Sequence, residues 1–354
     1  MLRMIIGTRK GVQIYGFDGQ WRMESEAYVG DPVSYACYDD RNHTLWAAPS
    51  HEHWGPKLVR SRDYGASWEE VPTPAYPEET GTKLTYQWVI QPGPKSKPDR
   101  LYMGTCPGGL FITNDGGDNW SLCPGQWAQK EKDGKHWFGG GRDDPGIHSV
   151  VVDEANPDHL YIGVSCAGVY ETYDGGETWA AKNKGLLAEF LPDPHAELGH
   201  DPHLLVAAPS DPSRMWQQNH CGIFRSDDAG ASWSRVSTPG DAAHFGFPIC
   251  VDANDPDIAY VAPAKSDEVR VAYERGICIA RTRDGGQSWQ TLSNGLPQQG
   301  AYDIVYRHAL DLKGDHLAFG TTTGNAFYTT DGGESWKCLS NYLPPIYSVR
   351  FAEW

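Results

Sequence analysis

Short apolar runs alternate with turn sequences along the whole chain, and no long amphipathic segment interrupts them. A clear example is the run 147–152, which is followed by the turn Asn156-Pro157-Asp158 and by a second run at 159–163. Short runs rich in β-branched and aromatic residues, bounded by Gly, Pro, Asn and Asp, are typical of β-strands. The pattern predicts an all-β protein of many short strands.

The turn sequences contain a recurring motif, Ser/Thr-x-Asp-x-Gly-x-x-Trp, which first occurs from Ser61 to Trp68. We expect its aspartate to cap backbone N–H groups of a tight turn, its glycine to adopt positive φ and its tryptophan to be buried between sheets. A degenerate copy lies at 18–21. Six complete copies recur at steps of 47 to 59 residues, with the aspartates Asp63, Asp115, Asp174, Asp228, Asp284 and Asp331, which we interpret as structural.

Each repeat carries four strand-like runs, which is the strand number of a propeller blade. The segment 4–22 has three strands and lacks an inner one, whereas 345–353 is an inner strand without followers. Sharing one blade between these two segments predicts a seven-bladed β-propeller and removes exposed sheet edges. The whole chain, 1–354, is then a single propeller domain, with further blades at about 33–72, 84–123, 147–181, 203–237, 247–293 and 302–340.

Charge and composition argue against two classes of binding partner, nucleic acids and membranes. The formal net charge is -16 and the 30 Lys and Arg are dispersed, so nucleic acid is not expected as a partner. No apolar run is long enough for a membrane helix, and the opening segment has no signal-peptide core, so no membrane partner is expected. The eight cysteines occur singly, which fits a reducing, cytoplasmic location.

The repeats resemble the BNR/Asp-box superfamily, which includes sialidases, sortilin-type receptors, photosystem II assembly factors and xyloglucanases. The phrases at 136–141, 199–203 and 217–222 are similar to a bacterial subgroup described as glycosyl hydrolase-like. The resemblance implies that the Asp boxes lie on the rim, away from a ligand funnel. The Arg-Ile-Pro phrase and the arginine triad of sialidases are missing, and sialidases have six blades, so a true sialidase is not expected.

Candidate functional residues lie where the repeats differ. Aligning the repeats places His148, His203 and Phe247 at equivalent starts of inner strands, facing the funnel mouth. A looser alignment adds Tyr86, Tyr302 and Tyr347 to this ring. Such a surface suits stacking on a sugar, although the same rings could simply plug the channel.

Aligning the turn that follows the second strand of each blade gives a further set of candidate residues at equivalent positions. It contains Cys106, Cys166 and His220, with Arg9 and Thr323 in other blades, while His51, Glu52 and His53 occupy an enlarged turn. Clustered histidines fit transition-metal ligation, acid–base catalysis or hydrogen bonding to a polar ligand. A divalent metal held by His148, His203 and His220 is therefore kept as an alternative to a metal-free ligand site.

Two insertions, 124–145 and 185–202, are candidate lids, and the first contributes Trp137 as a ligand-binding residue. A glycoside hydrolase needs two carboxylates flanking the scissile bond, and Asp144 with Asp201 or Glu197 is a candidate pair, with His148 and His203 beside it. The alternative is that Asp144 and Asp201 cap turns before proline.

Two functions follow. The first is a glycosyl hydrolase-like enzyme acting on a small-molecule or glycan ligand at the funnel mouth. The second is a non-catalytic propeller that binds a ligand or a protein partner.

Overall fold

The computed structural model describes residues 1–51 and 53–354. Glu52, predicted to lie in the enlarged turn with His51 and His53, is outside the described residues. The chain is a seven-bladed β-propeller with four-stranded antiparallel blades, and its N- and C-terminal strands share one blade. The predicted fold class is confirmed.

The chain divides into two compact units. The first comprises Met1–Lys182, Glu197–Asp201 and Ala352–Trp354, and the second comprises Asn183–Ala196 and Pro202–Phe351.

The first sheet contains strands from both ends of the chain: β1 (Leu2–Thr8), β2 (Gly11–Phe17), β3 (Trp21–Ala27) and β29 (Ile346–Glu353). The second sheet carries an extra two-residue strand that pairs with its second strand: β4 (Val33–Asp39), β5 (Thr44–His51), β6 (Gly55–Pro56), β7 (Leu58–Ser61) and β8 (Glu69–Val71).

The first unit also contains the third and fourth sheets. The third is formed by β9 (Tyr86–Pro92), β10 (Leu101–Cys106), β11 (Leu110–Thr113) and β12 (Ser121–Leu122). The fourth is formed by β13 (Ile147–Val152), β14 (Leu160–Val164), β15 (Gly168–Thr172) and β16 (Ala180–Ala181). An α-helix, α1 (Pro124–Asp133), connects them, and short 3-10 turns lie at Glu78–Thr80 and Gly134–His136.

The second unit contains the fifth, sixth and seventh sheets. The fifth is formed by β17 (Pro202–Ala208), β18 (Asp211–Asn219), β19 (Gly222–Ser226) and β20 (Ser234–Arg235). The sixth is formed by β21 (Gly246–Val251), β22 (Ala259–Pro263), β23 (Ile279–Thr282) and β24 (Gln290–Leu292), with a 3-10 turn at Tyr273–Arg275. The seventh is formed by β25 (Leu310–Lys313), β26 (His316–Gly320), β27 (Ala326–Thr329) and β28 (Lys337–Ser340).

The core of each unit is built largely from the middle strands of its sheets. All six residues of β10 are buried, because this strand has packed side chains on both of its faces. In the first unit Trp46, Tyr102 and Phe111 belong to one continuous cluster of buried residues. In the second unit Trp216 packs with the apolar residues of β21 and β22. The blades are therefore held together by apolar burial between their faces.

The Asp boxes form the turns that the motif predicts. The carboxylate of Asp63 accepts a hydrogen bond from the Ser61 hydroxyl, at 2.8 Å, and from both the backbone N–H and the hydroxyl of Ser67, at 2.8 and 2.5 Å. Gly65 has φ of 90° and donates its N–H to the Ser61 hydroxyl. The same contacts recur around the other five aspartates, so these carboxylates are committed to their own turns.

Candidate functional site

In several sheets the first strand has a β-bulge near its start, and a residue at or near a predicted site position lies at that bulge. In β13 the pairing passes from Ile147 opposite Val164 to Ser149 opposite Gly163, so His148 is the extra residue of the bulge. A bulge bends its strand and redirects a side chain, and it is common beside functional sites. His148 itself is fully buried, and its Nδ1 nitrogen lies 2.9 Å from the Ser149 hydroxyl.

The same irregularity recurs in three other sheets that carry candidate residues. It falls on Trp88 in β9, on His203 in β17 and on Phe247 with Pro248 in β21. The counterpart of His148 in the third sheet is therefore Trp88, whereas the sequence alignment placed Tyr86 there. The pairing with the second strand sets this position, and an alignment of apolar runs does not reveal that pairing.

Tyr302 lies in a loop, which corrects the prediction that it begins an inner strand. The strand of that sheet starts at Leu310, eight residues later. The carboxylate of Asp303 accepts hydrogen bonds from the Thr321 hydroxyl and the Asn325 amide, each at 2.7 Å, and these contacts hold the segment as a loop. The Tyr302 side chain is exposed.

In the first unit an aromatic and cationic cluster joins β9 to the insertion 124–145. The guanidinium carbon of Arg142 lies 3.8 Å from the ring centre of Tyr86 and 5.2 Å from that of Trp88. The rings of Tyr86 and Trp88 meet edge to face at 4.8 Å, and Trp88 also contacts the His148 ring at 6.4 Å. We call Tyr86, Trp88 and Arg142 the Arg142 stack. Both rings are half-buried and Arg142 is exposed, so the stack presents an aromatic surface with a fixed cation.

Helix α1 anchors the insertion. Pro124 opens the helix, where its missing N–H costs nothing. The side chain of Gln126 accepts a hydrogen bond from the Leu110 N–H at 2.9 Å and donates to the Gly108 carbonyl at 3.1 Å. Gly125 approaches the fourth sheet so closely that a Cβ would lie 2.1 Å from the Glu177 carbonyl oxygen. The part of the insertion that forms helix α1 is thus packed against the third and fourth sheets.

Trp137, predicted to bind ligand, lies in the hydrophobic core and is 7% exposed. Its indole N–H donates to the Tyr170 hydroxyl at 2.8 Å, and that hydroxyl donates to the Asp133 carboxylate at 2.8 Å. Burial raises the pKa of Tyr170, which keeps this hydroxyl protonated. Trp137 therefore secures the base of the insertion.

The predicted carboxylates differ in their surroundings. Asp144 is exposed, and its backbone carbonyl lies 3.6 Å from the buried thiol of Cys106. Burial raises the pKa of that thiol, so it stays protonated and donates. The carboxylate of Asp201 accepts the backbone N–H of Cys166 at 3.1 Å, where Cys166 has φ of 55°. The Asp201 carboxylate thus caps the turn at Cys166, while the Asp144 side chain faces solvent.

In the second unit two imidazoles meet within an aromatic cluster. His203 stacks on Phe247 with ring centres 4.7 Å apart, and its ring meets His220 edge to face at 5.7 Å. Phe245 contacts both histidines, at 5.6 and 5.8 Å, and Phe190 contacts His220 at 5.0 Å. We call His203 and His220 the imidazole pair. Phe245 and Phe247 are buried, so the pair has an apolar wall.

The turn that carries His220 is rigidly built. The side-chain carbonyl of Asn219 accepts the Cys221 N–H, and its amide donates to the Gln217 side chain, both at 3.0 Å. The thiol of Cys221 accepts the backbone N–H of Glu189 at 3.3 Å, which ties the insertion 185–202 to this turn. The phrase at 217–222 therefore positions one member of the imidazole pair.

The remaining predicted residues lie in both turns and strands, and His51, predicted to lie in an enlarged turn, is the last residue of β5. Arg9 lies in the turn between β1 and β2, and Tyr347 is the second residue of β29. The rings of His51 and His53 are 5.8 Å apart, and the His51 ring also contacts the exposed Trp54 at 6.4 Å. Whether these residues gather at one funnel mouth with the histidines stays a prediction.

Sequence reasoning missed Trp88, Phe190 and Phe245. Trp88 follows Tyr86 by two positions and Phe245 precedes Phe247 by two, a spacing that puts both members on one face of an extended chain. This period-2 pairing of aromatics was the available signal. Phe190 gave no such signal, because it lies in an irregular insertion.

Together the fold and the turns define the class of protein: a β-propeller built from BNR/Asp-box repeats. The BNR/Asp-box repeat family model matches residues 327–337, which include the last Asp box. Within the described residues, no helix has the length and apolar character needed to cross a membrane.

In sequence the chain is similar to several xyloglucanases. It is 25% identical over 288 residues to a xyloglucanase of a Paenibacillus species, covering 75% of this chain and 26% of that one. It is 26% identical over 314 residues to xyloglucanase Xgh74A of Acetivibrio thermocellus, covering 77% and 33%. An oligoxyloglucan-reducing end-specific xyloglucanase of Emericella nidulans is 24% identical over 263 residues, covering 66% and 30%. The chain spans about a quarter to a third of the length of these relatives.

In structure the chain is similar to other propellers. An ancestral GH74 enzyme superposes with a TM-score of 0.59 at 15% identity, covering 91% of this chain and 38% of that chain. The GH74 enzyme of Niastella koreensis gives a TM-score of 0.54 at 14% identity, covering 97% and 66%. YCF48 bound to a D1 peptide gives 0.55 at 15% identity, covering 87% and 82%. These matches show the shared propeller fold.

Proposed function

We propose that the chain is a carbohydrate-active, glycosyl hydrolase-like propeller that acts on a glycan of the xyloglucan type. The observation that carries this proposal is the similarity to xyloglucanases over about two thirds to three quarters of the chain. The proposal excludes true sialidase activity, because the sialidase arginine pattern is missing from the sequence.

The Arg142 stack is the proposed sugar-binding surface. The C–H face of a pyranose packs on half-buried aromatic rings, and the guanidinium donates hydrogen bonds to sugar hydroxyls. Trp88 and His148 lie at or beside the bulges that redirect their side chains, which supports a role in binding.

Asp144 and Asp201 are the proposed catalytic carboxylates, with His148 and His203 as proposed hydrogen-bonding or acid–base groups. Hydrolysis needs an acid and a base or nucleophile about 5 to 10 Å apart. Asp144 is exposed to incoming substrate and lies two positions after Arg142 in the chain, which supports its assignment.

The test is turnover and binding on a panel of xyloglucan, its oligosaccharides and other plant glycans. We expect release of reducing ends, lowered about 100-fold or more in D144N and D201N, since a positioned acid or base contributes at least that factor. D40N, an exposed aspartate in the turn between β4 and β5, is the matched control. Unchanged turnover in D144N and D201N removes the proposed pair, and a wild-type chain that neither cleaves nor binds any glycan removes the function.

A non-catalytic binding or assembly role is the second candidate. It is favoured by the structural match to YCF48 bound to a D1 peptide, which covers 82% of that protein. Saturable glycan or peptide binding without any bond cleavage identifies this function.

A reducing, cytoplasmic location remains part of the proposal. All eight cysteines are free thiols in the structure, and five of them are buried. Eight titratable thiols in chain denatured directly from cell extract support this location, and fewer argue against it.

A further inference from the structure

We infer that the imidazole pair of the second unit binds a divalent transition-metal ion of the zinc class, a property that is measured separately from glycan turnover although His203 also belongs to the proposed glycan site. His203 and His220 place one ring nitrogen each within 4.8 Å of the other. Two imidazole nitrogens on one tetrahedral zinc lie roughly 3.4 Å apart, given Zn–N bonds of about 2.0–2.1 Å. Small side-chain rotations are therefore enough to bring both onto one ion.

The tautomer of His203 is the one that a metal ligand needs. Its Nδ1 nitrogen lies 2.6 Å from the carbonyl oxygen of Gly246, and a carbonyl can only accept. Nδ1 therefore carries the proton, and the lone pair is on Nε2. A backbone carbonyl that accepts a hydrogen bond from one ring nitrogen, and so leaves the other for the metal, is a regular feature of metal-binding histidines.

The surroundings favour a firmly held ion of intermediate softness. His203 is 2% exposed, and Phe245 and Phe247 form an apolar wall that limits access of water. Imidazole ligands suit Zn²⁺, Ni²⁺ and Cu²⁺, whereas Mg²⁺ and Ca²⁺ prefer sites made of oxygen.

Nearby charges do not exclude a cation. The guanidinium groups of Arg270 and Arg307 lie 5.8 and 5.7 Å from the Phe247 ring centre. Arg270 is paired with Asp267, whose carboxylate also lies 3.9 Å from the His220 ring.

The test uses the full chain purified without an affinity tag, stripped with a chelator and titrated with Zn²⁺ by calorimetry. We expect one ion per chain and at least about 10-fold weaker binding in H203Q and in H220Q, because removing even an outer-shell partner costs that much. H136Q, which removes an exposed histidine in the 3-10 turn Gly134–His136, is the matched control and should bind as the wild type does.

Cobalt substitution gives a second readout, since the absorption spectrum of bound Co²⁺ reports nitrogen ligation directly. If the buried H203Q variant fails to fold, H220Q decides, because the His220 side chain is 25% exposed and tolerates replacement. Zinc affinity in H220Q equal to that of the wild type overturns the inference, as does a wild-type chain that binds no zinc. Neither result depends on glycan turnover, so the metal site and the proposed function fail separately.

Discussion

The imidazole of His203 is locked to the backbone of the next blade, because its Nδ1 nitrogen lies 2.6 Å from the Gly246 carbonyl oxygen. A side chain at Gly246 would crowd the neighbouring strand, because a Cβ there would lie 2.6 Å from the Ala262 carbonyl oxygen. The same strand places Phe247 under the imidazole face. One short segment of β21 therefore fixes both the tautomer and the ring plane of His203.

This contact predicts that neutral His203 is protonated at Nδ1. Long-range proton–nitrogen correlation spectra of the ¹⁵N-labelled chain at pH 8 report the tautomer, and H203Q assigns the signals. A proton on Nε2 contradicts the geometry, because it leaves two acceptors facing each other at Nδ1 and the Gly246 oxygen.

The tryptophans of the Asp boxes should differ in their contribution to stability according to burial. Trp336 is 4% exposed and meets Phe319 edge to face at 5.1 Å, whereas Trp68 is only half-buried. We expect W336A to lower the free energy of unfolding by about 3–5 kcal/mol, in the range of buried aromatic-to-alanine changes. W68A should cost clearly less. Urea denaturation compares the two, and equal losses contradict the burial argument.

Because of the Asp boxes, the free energy of unfolding should decrease as the pH falls into the acidic range. Hydrogen bonds from the side chain and backbone of Ser67 lower the pKa of Asp63 to about 2, and those from Asn119 and Ser288 do the same for Asp115 and Asp284. An unfolded aspartate titrates near about 3.9. The folded state binds fewer protons, so this stabilisation is present above about pH 4 and is lost as the pH falls through about 2.

The measurement is the free energy of unfolding in urea between pH 5 and pH 2. The triple variant D63N/D115N/D284N should show a smaller decrease over this interval than the wild type, because its amides do not titrate. An unchanged decrease shows that other carboxylates account for the acid sensitivity.

The repeat made the fold predictable from the sequence. The Asp-box motif gives the turn chemistry directly, and the strand deficit at one end matches the spare strand at the other. The blade that contains Tyr302 shows the limit of this reasoning. An apolar run at 302–306 looks like a strand, but Asp303 binds threonine hydroxyls and an amide instead, and the true strand begins at Leu310.

The sequence predicted which types of residue form the candidate site, but not the exact positions that they occupy along the strands. Histidines and aromatics at inner-strand starts follow from aligned repeats, yet the strand pairing places Trp88, and not Tyr86, at the bulged position. Trp137 looked like a lid residue because it lies in an insertion. The structure buries it, since its indole N–H has a partner in Tyr170 on a neighbouring strand. The positions of both Trp88 and Trp137 depend on contacts with segments that are distant in the sequence.

The Arg142 stack gives a final prediction about binding. Removing the guanidinium in R142A should weaken binding of a xyloglucan oligosaccharide, because the sugar loses a fixed donor beside Tyr86 and Trp88. A hydrogen bond from a charged donor contributes about 1.5–3 kcal/mol, which corresponds to a change in Kd of roughly 10- to 150-fold. R142K keeps the charge but not the planar stacking face, so it should restore only part of the affinity. R62A removes an exposed arginine of an Asp box and is the calorimetric control. Wild-type affinity in R142A, or an equal loss in R62A, shows that the stack is not the sugar-binding surface.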